Sequence, residues 1–158
     1  MALAGVSSLG ITFGYGLEAT KGVKPGTFTK LTRINQIGGI NIEPEQIDAS
    51  AIEDLVSAYV AGRADNGGSF PVTVNFTPDT NAEWKKLIED YQGLLDAGDG
   101  KQIWFETIIP GFTEAFFCIA QPPQAIPQPE IGQNELLTVE FPLTIVEYKG
   151  MEAKVDFQ

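Results

Sequence analysis

Leu137-Thr138-Val139-Glu140-Phe141-Pro142-Leu143-Thr144-Ile145 decides the fold class, because its apolar and polar side chains alternate without a slip. Successive side chains of a strand point to opposite faces. Leu137, Val139, Phe141, Leu143 and Ile145 therefore share one face, and Thr138, Glu140 and Thr144 share the other. A helix would scatter the same set around its circumference. Pro142 cannot donate to a ladder, so it marks an edge or a bulge.

The same period recurs upstream. Phe70, Val72, Val74 and Phe76 alternate with Pro71, Thr73 and Asn75, and Lys101 to Ile109 puts Ile103, Phe105, Thr107 and Ile109 on one side. Ala115 to Ala120 is apolar on both faces, which suits a central strand. Phe28–Ile34 and Ile37–Ile42 read as weaker strands joined through Asn35-Gln36. One segment breaks the pattern. Trp84, Leu87, Ile88, Tyr91 and Leu94 or Leu95 recur at three- and four-residue steps, the stripe of an amphipathic helix. Thr80 and Glu83 have the spacing of a capping box, Lys85, Lys86, Glu89 and Asp90 fall on the watered side, and Gly98 or Gly100 closes the element.

Two connections remain. Gln121–Gln133 holds Pro122, Pro123, Pro127 and Pro129 and is expected to run extended over the surface. Glu43 to Ser69 is long for a loop in a compact domain, and such loops are usually functional. Ile47, Ile52, Leu55, Val56, Tyr59 and Val60 lie in it among acidic residues and need a surface to cover. Either a neighbouring molecule supplies that surface, or a short helix from Ser50 to Val60 packs on its own domain. The expected architecture is mainly β, of α+β type. It is a β-sandwich or half-open barrel with one packed α-helix and a long inter-strand loop at 43–69. A length of 158 residues suits one domain spanning 1–158, with 1–27 a candidate extended N-terminal arm.

What is missing narrows function. Without His there is no imidazole base, no histidine-activated nucleophile and no histidine metal ligand. The one cysteine, Cys118, lies in an apolar run where a thiol stays protonated and inert. Gly14, Gly16, Gly38 and Gly39 open no helix and suit bulges or turns better than a phosphate cradle. Asp65-Asn66-Gly67-Gly68 lacks the alternating ligands and closing Glu of a calcium loop. No catalytic constellation, metal site or cofactor site is expected, and the chain is read as a non-enzyme. Met1 to Leu17 carries no charge and four glycines, so neither an export signal nor a membrane span is expected there.

Charge is unevenly placed. The net charge is -11, yet residues 1–42 hold Lys21, Lys24, Lys30 and Arg33 against Glu18 alone. An acid excess argues against a sequence-reading nucleic-acid binder. The polarity is either a solvated surface or a pair of complementary patches that fix register between copies.

The segment Ile37-Gly38-Gly39 … Ile47-Asp48-Ala49-Ser50 … Tyr59-Val60-Ala61-Gly62-Arg63-Ala64-Asp65-Asn66-Gly67-Gly68 … Val74-Asn75-Phe76 resembles the tail tube (major tail) proteins of long, non-contractile-tailed bacteriophages. The shared pattern is a glycine-bearing strand, an Ile-Asp-x-Thr/Ser step, an aromatic, Gly-x-x-Asp-x-Gly and a strand ending in an aromatic. Ser50 stands where Thr is commoner. The resemblance implies a structural virion protein that self-assembles into stacked hexameric rings, a conduit for DNA delivery into the host. It implies a virion-tail location after synthesis in the bacterial cytoplasm. The partners implied are further copies of the chain, the tape-measure protein, the tail tip or terminator, and passing double-stranded DNA that is not specifically bound. No membrane partner is implied. Candidate subunit-contact residues on this reading are Ile47, Asp48, Ile52, Leu55, Val56, Tyr59, Val60, Arg63 and Asp65. Candidate channel-lining residues are Thr138, Glu140 and Thr144. The alternatives are the inner tube of a contractile tail or secretion machine, and a monomeric β-barrel holding an apolar ligand.

Overall fold

The computed structural model describes residues 5, 9–41, 43–51, 56, 59–65 and 68–157, with the backbone alone for 43–47 and 59–65. The elements in chain order are β1 (Thr12–Leu17), β2 (Thr29–Leu31), β3 (Ile34–Ile37), β4 (Glu43–Asp48), β5 (Tyr59–Asp65), β6 (Ser69–Asn75), α1 (Pro78–Ala97), β7 (Ile103–Ile108), β8 (Glu114–Gln121) and β9 (Thr138–Ala153). Seven strands form one antiparallel sheet in the order β2-β1-β7-β8-β9-β6-β3, and β4 with β5 forms a second.

Chain connectivity forces the large sheet to roll up. Its border strands β2 and β3 are separated by Thr32 and Arg33 alone. Three residue steps reach roughly 10 Å, whereas seven strands laid flat would put their borders about 29 Å apart. The sheet must therefore curve until both borders meet at one corner. Arg33 makes that corner with φ 56°, a left-handed conformation for a residue with a Cβ. Among the described residues β2 and β3 do not pair, so the result is a half-open barrel. The break between the two short strands thus falls at Thr32-Arg33 and not at Asn35-Gln36, which lie inside β3. Of the span 1–27 read as an arm, Thr12–Leu17 is an interior strand hydrogen-bonded on both sides.

Alternation builds the core as expected. Phe70, Val72 and Val74 of β6 and Val139, Phe141, Leu143 and Ile145 of β9 point into the roll and are buried. β8 is the middle strand and is covered on both faces. Cys118 and Ala120 face the main core, while Ala115, Phe117 and Ile119 face a smaller one with Trp104 and Phe28. Opposite β8, β9 carries an extra residue at two places, between Ile145 and Glu147 and between Tyr148 and Gly150. Such bulges bend and twist the strand that holds them, which helps the sheet to coil.

Pro142 sits in neither a border strand nor a bulge. It lies directly opposite Pro71 of β6. Pro71 directs its carbonyl to the Gly38 N–H just past β3, so this pair does not exchange hydrogen bonds and Pro142 points its nitrogen toward the β8 side. There the β8 ladder has already ended at Gln121 opposite Thr144. No donor is missed, and the proline is tolerated.

Helix α1 closes one end of the roll. Its cap lies three residues before the expected box: Thr77 accepts from the Thr80 backbone N–H at 3.2 Å and Thr80 Oγ1 accepts from the Thr77 N–H at 2.8 Å. Glu83 is thereby released to accept from the Thr32 N–H and hydroxyl at the β2–β3 corner. Gly98, with φ 70°, ends the helix. Trp84 and Leu87 are fully buried, and Leu94 rather than exposed Leu95 continues the stripe. Asp90 does not face water alone, since it accepts a long 3.4 Å bond from the Tyr15 hydroxyl. Burial, with the charges of Asp90 and Glu83, pushes that phenol up to about 12.

Candidate assembly surfaces

The segment 43–69 is not a loop over most of its described length. It is a two-stranded antiparallel ribbon in which Ile47 lies opposite Val60, Asp48 opposite Tyr59 and Glu43 opposite Asp65, with a register shift between Pro44 and Gln46. Arg63 lies on β5. No helix spans Ser50 to Val60, because Tyr59 and Val60 begin β5. The exposed Asp48 carboxylate accepts from the Ser50 N–H at 2.9 Å, which turns the chain at the end of β4 and lowers its pKa. Val56 is 81% exposed. Ile52 and Leu55, read as contact residues, lie outside the described residues.

A second surface is the outer face of β3, β6 and β9. Thr138 stands opposite Asn75, Glu140 opposite Thr73 and Thr144 opposite Ser69. Glu140 and Thr144 are exposed and Thr138 is half-buried. Asn35 joins the row through a 3.3 Å bond from its Nδ2 to Asn75 Oδ1. The three residues read from β9 are therefore one edge of a broader hydroxyl- and amide-bearing face. Across β3, β6 and the Thr138–Ile145 part of β9 there is no Lys or Arg, and Glu140 is the one charge. Ser69, Thr73 and Asn75 were legible as the polar half of the β6 alternation. Asn35 was not, because the β3 boundary was misplaced.

The third surface was invisible in the sequence. A cleft of about 590 Å³ opens between β3 and the ends of β1, β7 and β8. Ile11, Phe13, Ile37, Ile40, Phe70 and Phe116 supply its apolar walls, with Thr107 and Tyr148 among the polar groups. No charged residue lines it. Gly38 and Gly39 border it, and a Cβ on Gly38 would overlap the Pro71 ring. That close approach, not ligand binding, is what the first of the two glycines provides.

The chain also covers its own outer face over β7 and β8. Val155 and Phe157 pack on the smaller core, and Phe157 forms a parallel bridge with Phe28 and lies against Gly14. Two buried carboxylates pin this side. Glu18 accepts from the Gln102 N–H at 2.7 Å, the Trp104 Nε1–H at 2.9 Å and the Gly22 N–H at 3.1 Å. Glu106, fully buried, accepts from the Val155 N–H at 2.8 Å through Oε2, while its Oε1 has no partner. Burial raises its pKa, partly countered by the Val155 bond and by Lys24. Lys24 lies 4.0 Å over the Phe117 ring and donates to the Ala153 carbonyl at 2.6 Å. Neither carboxylate was singled out from sequence, because an isolated Glu in a strand, or just past one, carries no signal of burial.

Cys118 is buried, and burial pushes its thiol up to about 12. No group of three or more His, Cys, Asp or Glu side chains among the described residues could hold a metal ion. No described helix is long and apolar enough to cross a membrane.

No family model and no curated protein matches this chain. Among solved structures, a chain from the cryo-electron-microscopy structure of the anti-feeding prophage baseplate, determined with six-fold symmetrisation, shares its fold. The two are 14% identical, the match covers 96% of each chain, and the TM-score is 0.54. The likeness is one of fold.

Proposed function

We propose that this chain is a structural subunit of a phage-type tail, assembling with copies of itself into hexameric rings that stack as a tube for DNA. The observation that supports this most is the fold likeness over 96% of both chains to a component of a six-fold symmetrised baseplate. It joins a sequence pattern, centred on the β4–β5 ribbon, that resembles tail tube proteins.

The physics of the polar face is consistent with a conduit. Duplex DNA carries about one charge per 1.7 Å, and each phosphate held by a wall lysine adds binding strength and so retards passage. A face of Thr138, Glu140, Thr144, Ser69, Thr73 and Asn75 offers hydroxyls, amides and one negative charge. On this reading it lines the channel, and the ribbon reaches a neighbouring subunit. The tape-measure protein and the tail tip or terminator would be its other partners, and no catalysis or cofactor is involved.

A second reading is favoured by the same neighbour, which belongs to a baseplate: an inner-tube or baseplate-proximal component of a contractile tail or secretion machine. Negative-stain microscopy of concentrated protein tests the shared claim. Rings or hollow tubes are expected, and a protein that stays monomeric at every concentration, with a tail initiator complex added, overturns it.

A further inference from the structure

We propose that Lys154–Phe157, the segment after β9, is a strap whose closure is set by the protonation of Glu106: the neutral acid holds it shut and the carboxylate loosens it. The inference stands apart from the assembly reading and concerns the outer face of β1, β7 and β8.

The strap crosses a trough laid out by strand register. Lys30, Gly14, Glu106 and Phe117 stand side by side on β2, β1, β7 and β8, each the register partner of the next. Directly opposed residues of an antiparallel pair share a face. Gly14 makes the dip in this row, since a Cβ there would overlap the Phe157 ring. Phe157 seats on it and bridges Phe28, while Val155 packs on the smaller core. Beneath them Glu106 is fully buried.

The strap is lightly held. Past Ala153 it leaves the β8 ladder. The Lys154 N–H reaches the Thr113 carbonyl only at 3.5 Å, the Phe157 bridge is isolated, and the Val155 N–H is spent on Glu106 Oε2 at 2.8 Å. Segments with few backbone bonds open at a fraction of the free energy of global unfolding. Lys24 fixes the root by donating to the Ala153 carbonyl at 2.6 Å, so the opening hinges just beyond it.

Glu106 couples this opening to pH. With Val155 on Oε2 and nothing on Oε1, the ionised form is a buried charge with one donor, which is costly. Opening gives both oxygens to water. Lys24, and Lys154 on the strap itself, favour the carboxylate, and Asp156 on the strap opposes it. Lys30 shares the row, Lys149 lies over Trp104 and is paired with Glu147, Glu152 stands opposite Ala115, and Glu18 is taken up by Trp104, Gln102 and Gly22. Burial outweighs the lysines and holds the carboxyl above its ordinary range. Closure is therefore complete below the ordinary glutamate value of about 4.3 and weakens as pH rises through the raised one.

Nuclear magnetic resonance of the unassembled full chain tests this. At every pH the Val155 amide should exchange faster than the amides of β7 and β8, because the strap opens without unfolding the sheet. Corrected for intrinsic exchange, its opening should grow about tenfold for each pH unit that separates the Glu106 titration from that of an exposed glutamate. In Glu106→Gln the opening should stay constant with pH. Phe157→Ala unseats the strap and should bring the Glu106 titration down to the ordinary range while the sheet stays folded. A Glu106 titration unmoved by Phe157→Ala would show that the sheet alone buries the carboxyl and would overturn the proposal. So would a Val155 amide that exchanges only with the sheet, or one whose pH response survives in Glu106→Gln.

Discussion

The Trp84 indole lies flat on the Phe141 ring, with centroids 3.9 Å apart and planes 3° from parallel. This stack joins α1 to β9, and both residues are essentially fully buried. The indole N–H nevertheless has no acceptor. Trp84→Ala should cost about 3–5 kcal/mol in chemical denaturation, the usual loss for a large buried aromatic. Trp84→Phe should cost clearly less, because it keeps a ring on Phe141 and removes a donor that is already orphaned. Equal losses in the two variants would refute this reading of the stack.

Glu18 satisfies three donors, one at Gly22 and two at the start of β7, Gln102 and Trp104. Glu18→Ala leaves the buried Trp104 indole N–H without a partner and turns the half-buried Gln102 and exposed Gly22 amides over to water, and a loss of about 1–3 kcal/mol is expected. Trp104 fluorescence should shift as its environment loosens. Glu18→Gln keeps one acceptor oxygen and should fall between.

Glu106 gives stability a pH dependence of known sign. Its pKa is raised in the folded protein, chiefly by burial, so the folded state favours the protonated acid. That contribution is fully present below the ordinary carboxylate range and is lost as pH rises through the raised value. Glu106→Gln removes this titration. The melting-temperature difference between variant and wild type should therefore move in the variant's favour from about pH 4 to pH 7. A difference that stays flat with pH would refute the assignment.

The ribbon belongs to its own two-stranded sheet. Replacing 43–67 by a short glycine-serine linker should leave a folded, cooperatively melting protein that no longer forms rings or tubes. Normal tubes from this variant would remove the ribbon from the assembly.

Most of the sheet could be read from sequence because its two-residue period is local. β6, β7 and β9 announce themselves by which side chains alternate, β8 by a short run that is apolar on both faces, and Trp84, Leu87 and Leu94 announce the helix. β2 and β3 were displaced because a left-handed residue, Arg33, makes their corner, and arginine gives no warning of positive φ. The ribbon was hidden for another reason. Glu43-Pro44-Glu45 and the glycine in Tyr59–Asp65 are poor strand residues, and only mutual pairing makes them one. Of the candidate surfaces, the polar side of β9 with Thr138, Glu140 and Thr144 was legible from alternation. The cleft, Glu18 and Glu106 were not, since long-range packing alone creates them.

The position of β9 has a consequence for the timing of synthesis. It is bonded to β8 on one side and β6 on the other, and among the described strands of this sheet it comes last in chain order. Before it emerges from the ribosome, β2-β1-β7-β8 and β6-β3 have no ladder between them. A partly translated chain therefore lacks the finished walls of the cleft and the completed polar face. If the chain assembles as proposed, nascent chains crowded on one messenger would be kept from polymerising prematurely, until the sixteen residues of β9 slot into place.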